Sequence, residues 1–179
     1  MEQAPSQAAP RLDSEGYSVK KLEARVKACL AEMNSLATAG YALGFHVRYS
    51  TPRLLLRTYD ARWTEVYSRE GLVMQDPVVA WSFANTTPCR WSDLPCDAAG
   101  EHVLHRASRF GLCHGVASGY EAGGSRSVCG FARSDREFTI SEIARLMSSF
   151  KDLHEITNLE GGAPEGMQAL LVRCAGKTS

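Results

Sequence analysis

Tyr59, Trp63 and Tyr67 stand four apart, and Asp76-Pro77-Val78-Val79 and then Trp91 follow them. A spacing of four places the three aromatics on one helical face. That face offers two phenolic hydroxyls and an indole N–H in an otherwise apolar wall, which suits a ligand with an oily body and a few carbonyls. Asp76 adds an acceptor. One carboxylate oxygen can cap a helix opened by Pro77 while the other meets a ligand amide, a charge-assisted bond worth about 1.5–3 kcal/mol. The competing reading makes the aromatics plain core residues and Asp76 only a cap, and residue types and spacing leave both open.

Other groupings carry less. Cys113-His114 pairs a thiol with a base, but neighbours on a strand point to opposite faces, so adjacency there opposes contact. His102 and His105 share a helical face and His114 follows, yet no further ligand stands at a short fixed spacing, so neither a metal nor a cofactor is expected. Gly115, Gly119, Gly123 and Gly124 lack the strand-to-helix passage and lysine of a phosphate cradle and read as turn and close-packing positions. Arg133, Arg136, Arg145 and Lys151 read as a solvated face. No catalytic residue is expected. A lactone-cleaving enzyme ranks last, because Asp76 reads as a hydrogen-bonding group and not as an activator of water.

These residues need elements to position them. Val19, Leu22, Val26, Leu30, Met33 and Leu36 recur at three or four from Ser18 onward, predicting a helix that Gly40 closes. Phe45 to Tyr49 and Leu54 to Thr58 predict two strands around a turn at Ser50, Thr51 and Pro52. Asp60 caps a helix carrying Trp63, Val66 and Tyr67, and Asp76 caps a second, started by Pro77 and carrying Val78, Val79, Trp81 and Phe83. Glu101 to Phe110 predicts a further helix through Val103, Leu104 and Ala107, stopped by Gly111. Strands at Leu112 to Tyr120 and Arg126 to Arg133 flank a turn. Thr139 and Glu142 form a capping-box pattern ahead of a last helix through Ile156. The order predicts an α+β fold, an α-β-α sandwich around a central antiparallel sheet of about five strands.

Length and composition set the outer bounds. The chain has 179 residues, 44% hydrophobic and 22% charged, enough for one core and little more. Twenty Lys plus Arg balance twenty Asp plus Glu, which removes the basic field of nonspecific nucleic-acid binding, so no direct DNA contact by this chain is expected. No apolar run of about 18 residues and no basic-then-apolar leader occurs, so the expectation is a cytoplasmic protein without a membrane span. Six scattered cysteines read as reduced packing thiols. Residues 1–17 read as a flexible leader, 18–157 as a sensor domain and 158–179 as a Gly-rich tail or linker remnant.

The series Tyr59, Trp63, Tyr67, Asp76-Pro77 and Trp91, at these intervals, resembles the pocket signature of the LuxR-type autoinducer-binding domain. Leu43-Gly44-Phe45 and Gly111-Leu-Cys-His-Gly115-Val116 add to the likeness, which extends over roughly residues 20 to 157. The resemblance implies an acyl-homoserine lactone held between a five-stranded antiparallel sheet and helices. Trp63 would donate to the lactone carbonyl, Asp76 would accept from the amide N–H, Tyr59 would donate to the acyl carbonyl, and Tyr67 with Trp91 would wall the head group. Val79 and Cys129 complete the candidate ligand-binding set. Gly119 stands where the family commonly has proline, and no helix-turn-helix module of the family follows in the 19 residues from Gly161.

The resemblance implies a quorum-sensing signal receptor, regulating transcription indirectly or as the sensor part of a transcription factor. The alternative is a sensor-only interaction protein that heterodimerises with full-length LuxR-type regulators and inhibits them. The partners expected are therefore a small-molecule signal, an acyl-homoserine lactone, and either a second copy or such a regulator.

Overall fold

The computed structural model describes residues 12–158 and 166–176, with side chains from Lys20 on. Helix α1 spans Leu12–Leu36. Strands β1 (Gly40–Val47) and β2 (Leu54–Arg57) follow, then α2 (Ala61–Arg69), a 3-10 turn at Leu72–Met74 and α3 (Pro77–Ala84). After β3 (Cys89–Arg90) and a 3-10 turn at Trp91–Asp93 come α4 (Ala98–Ser108), β4 (His114–Ala122), β5 (Ser125–Arg133), α5 (Ile140–Thr157) and α6 (Met167–Ala175). The five strands form one antiparallel sheet in the order β2-β1-β5-β4-β3.

The sheet divides the interior. Tyr41, Leu43 and Phe45 of β1 and Phe131 of β5 pack into one buried cluster with Leu30 and Met33 of α1, Phe150 and Leu153 of α5, and Leu171 of α6. A second cluster gathers Trp63, Leu72, Trp91, Val103, Ala107, Leu112, Ala117 and Ala132 under α2 and α4. The α-β-α sandwich read from the order of elements is the observed architecture.

Local chemistry accounts for the element starts that matter to the site. Asp60 and Asp76 accept from Arg62 N and Val78 N at 2.8 Å, supplying the first turns of α2 and α3 with acceptors. Thr139 and Glu142 make the reciprocal capping box of α5. Gly123 and Gly124, with φ of +57° and +67°, close the tight hairpin between β4 and β5. Gly119 sits under α3: a Cβ there would stand 2.4 Å from the carbonyl oxygen of Ser82, so the helix lies on β4 only because no side chain intervenes.

Several boundaries differ from expectation. The first helix ends at Leu36, and Gly40 opens β1 instead of closing the helix. β1 therefore runs from Gly40 to Val47 and not from Phe45 to Tyr49, and its interior is covered on both faces, so it lacks the alternation that marks a half-buried strand. α1 begins at Leu12, inside the expected leader, whose first eleven residues lie outside the described ones. The expected tail contains α6, which buries Met167, Leu171 and Ala175 in the cluster beneath α1. Three apolar residues at a spacing of four make a helical stripe that the core can cover. No helix among the described residues is long and apolar enough to cross a membrane.

Candidate functional site

Between the sheet and helices α2, α3 and α4 lies a cavity of about 260 Å³. Ala42, Gly44, Val128 and Gly130 floor it from the sheet, and Val103, Leu104 and Ala107 of α4 close the opposite side. The small floor residues leave the space that a Leu or Phe at those positions would fill. One rim reaches solvent at Ser50, Leu55, Arg57 and Val73, between the β1–β2 connection and the 3-10 turn after α2. Tyr59, Trp63, Tyr67, Asp76, Val79, Trp91 and Cys129 all border this one cavity.

Within it the polar groups hold unequal positions. Trp63 is 4% exposed, with its ring edge-on to Tyr67 at 5.5 Å and tilted against Phe110 at 5.6 Å. Its indole N–H has no acceptor among the described residues. Asp76 is the reverse case: Oδ2 accepts from the Tyr67 hydroxyl at 2.7 Å and Oδ1 from Val78 N. Burial pushes its carboxyl above the ordinary carboxylate range, against the pull of those donors. Two oxygens offer about four lone-pair sites, so the carboxylate retains room for another donor.

The hydroxyl of Tyr59 donates to the Gly130 carbonyl oxygen at 2.8 Å. Its proton is thus engaged by β5, and the donor role implied by the resemblance requires that bond to be exchanged. Burial raises the pKa of both Tyr59 and Tyr67, with the Asp76 carboxylate adding to each, so both stay neutral donors and acceptors.

Cys129 borders the cavity but belongs to the opposite layer. Its flanking residues Val128 and Gly130 face the cavity, while its own side chain packs in the cluster under α1 and α5, as alternation along a strand requires. Its thiol donates to the Ser118 carbonyl at 3.2 Å, and its carbonyl accepts from the Ser82 hydroxyl at 3.1 Å. Burial raises the thiol pKa.

Of the weaker groupings, His102, His105 and Cys113 are exposed, and His114 meets Glu137 at 3.4 Å. Among the described residues no cluster of three His, Cys, Asp or Glu side chains could hold a metal ion. Val103, Leu104, Ala107 and Leu112 wall the cavity without any mark of a site in the sequence. Their spacing marks an apolar helix face, and nothing in that spacing says whether protein or ligand covers it.

The sequence pattern of the autoinducer binding domain matches residues 22–153. No curated protein matches the chain. Among solved structures, Escherichia coli SdiA superposes with a TM-score of 0.55 at 17% identity, over 82% of this chain and 69% of its own. SdiA in complex with octanoyl-rac-glycerol gives 0.53 at 16% identity, over 84% and 69% respectively. Those likenesses establish a shared fold, and the sequence match spans most of the chain. This chain belongs to the autoinducer binding domain family.

Proposed function

We propose that the cavity binds an acyl-homoserine lactone or a similar amphiphile with an apolar chain and an amide or hydroxyl donor in its head. The observation that carries this reading is the pairing, in one apolar cavity, of a buried carboxylate with spare lone pairs and an indole N–H without an acceptor. Asp76 would accept from the ligand's N–H or O–H and Trp63 would donate to a carbonyl, so each polar group left by the fold gains its complement. Tyr67 holds Asp76 in place, and Val79, Trp91 and the backbone beside Cys129 supply wall.

SdiA is described with octanoyl-rac-glycerol, a ligand that has hydroxyls and an ester but no amide. A carboxylate acceptor serves either kind of donor, which is why the class is drawn at the amphiphile and not at one molecule. Control of transcription, through a further domain or through pairing with a full-length LuxR-type regulator, is the output such a receptor serves.

The test is thermal unfolding of the purified protein with N-acyl-homoserine lactones of graded chain length. A ligand at a hundred times its dissociation constant adds about 2.7 kcal/mol, a shift of several degrees for a domain of this size. A chain-length optimum with such a shift supports the reading. An unchanged transition across the series, with folded protein, rejects it.

A further inference from the structure

The cavity has a direction, on which sheet and helix agree. At one end Tyr59 bonds the Gly130 carbonyl, Gly130 pairs with Ala42, and the start of α3 stands over them: a Cβ on Gly130 would meet Val78 Cγ1 at 2.9 Å. Asp76, the cap of α3, and its partner Tyr67 belong to this polar end. Two residues along the strands, about 7 Å away, Val128 pairs with Gly44, and a Cβ on Gly44 would meet Pro52 Cβ at 3.2 Å. One turn further along α3, Ser82 bonds the Cys129 carbonyl beside Val128. This second end is apolar and lies under the β1–β2 turn. It is also open. Leu55 stands opposite Gly44 in the ladder and so shares its face, and Val73 forms the facing lip; both line the cavity, yet they are 41% and 47% exposed. Ser50, on the same rim, is exposed as well.

Size decides what such an opening is for. A cavity of about 150 Å³ holds one benzene, so about 260 Å³ takes a lactone ring, its amide and the first few chain carbons, and a longer chain has to go elsewhere. We infer that the ligand's chain leaves the cavity beneath the β1–β2 turn, lays its outer carbons on Leu55 and Val73, and ends in solvent. This rests on the proposed ligand class and deepens it: the site is strict toward the head group and the first carbons and admits long chains. Leu55 and Val73 are apolar surface that folding leaves at the water, and a chain laid over them removes both partners' apolar surface from it. They are then the residues that determine how much a long chain gains over a short one.

The test titrates the native protein with N-acyl-homoserine lactones from hexanoyl to tetradecanoyl, and with N-dodecanoyl-homoserine lactone carrying a nitrobenzoxadiazole amine on its last carbon. Affinity is expected to climb steeply over the short chains to an optimum where Leu55 and Val73 are covered, and to change by less than about threefold beyond it. The tagged ligand is expected to bind within about threefold of the untagged one, with its fluorescence quenched by aqueous iodide. Leu55→Ser and Val73→Ser are expected to weaken the dodecanoyl ligand by on the order of 5- to 10-fold and to leave the hexanoyl ligand unchanged. Because the tag and the length series use unaltered protein, they stand even where a variant folds poorly. Affinity that keeps falling past the optimum, a tag that abolishes binding or is shielded from iodide, or variants that weaken short and long chains alike overturn the inference and leave the ligand class intact. If no member of the series binds, the ligand class falls and the inference falls with it.

Discussion

Gly115 and Trp91 are in direct contact across the sheet surface: a Cβ built on Gly115 would stand 2.2 Å from Cε2 of Trp91 and 2.3 Å from Cδ2. The wall that Trp91 gives the cavity therefore depends on a side chain that β4 lacks. Gly115→Ala should displace the indole, destabilise the fold by about 1–3 kcal/mol as overpacking does, and weaken ligand binding beyond that loss. Denaturant unfolding and ligand titration of the variant check it; unaltered affinity would show that the indole's position does not matter to the ligand.

Asp76→Asn separates the cap from the charge. The amide oxygen can still accept from Val78 N, so α3 should persist, while a charge-assisted bond to ligand becomes a neutral one at a cost of about 1–2 kcal/mol. Burial raises the Asp76 pKa, and a ligand donor favours the ionised form, so affinity should fall as the pH is lowered through that raised value. The Asn variant should lose this pH dependence. Parallel titrations at several pH values measure both effects.

A buried polar cluster ties α5 to the sheet on the far side from the cavity. His46 Nδ1 and Nε2 meet Ser125 Oγ at 2.8 Å and Thr157 Oγ1 at 2.7 Å, and His154 Nδ1 meets Ser127 Oγ at 2.7 Å. Burial pulls His46 down to about 4 and lowers His154 as well, with Arg53 opposing charge on His46 and Glu155 favouring it on His154. Both folded values lie below the unfolded ones, so the unfolded chain takes up protons first. Stability is full above about pH 6.5 and erodes from there toward pH 4, by up to about 3 kcal/mol for His46. His46→Gln should flatten the pH–stability curve over that window in chemical denaturation.

Gln168 clasps the sheet edge. Its side-chain amide accepts from Leu55 N at 3.1 Å and donates to Leu55 O at 2.8 Å, as a neighbouring strand would. Gln168→Ala should cost about 1–2 kcal/mol and speed hydrogen exchange of the Leu55 amide, with the amides of β5 unaffected. Equal exchange at Leu55 would mean that α6 does not protect this edge.

Local patterns made much of this legible. The caps at Asp60, Asp76 and Thr139 and the stripe of α5 are written in residues a few positions apart, and the structure has them. Tyr59 stands before the cap of α2, so the three aromatics do not share one helical face, yet with Asp76 and Trp91 they meet at one cavity. What stayed hidden depends on distant partners. The thiol of Cys129 lies behind the cavity because of strand register, and the Tyr59 proton is taken by Gly130, 71 positions away. β3 is two residues long and exists only through Ala117 and Val116 of β4, and the pairing of His46 with Thr157 spans the length of the domain. Spacing along a helix or strand reports which faces exist; it does not report what those faces meet.

The most direct measurement is calorimetric titration of the native protein and of Trp63→Phe with N-octanoyl-homoserine lactone. The variant keeps an aromatic wall and loses one donor, so its affinity should drop by about 1–2 kcal/mol, roughly 5- to 30-fold, with thermal stability nearly unchanged. Equal affinities in the two proteins, or no binding to either, would contradict a cavity that recognises its ligand through Trp63.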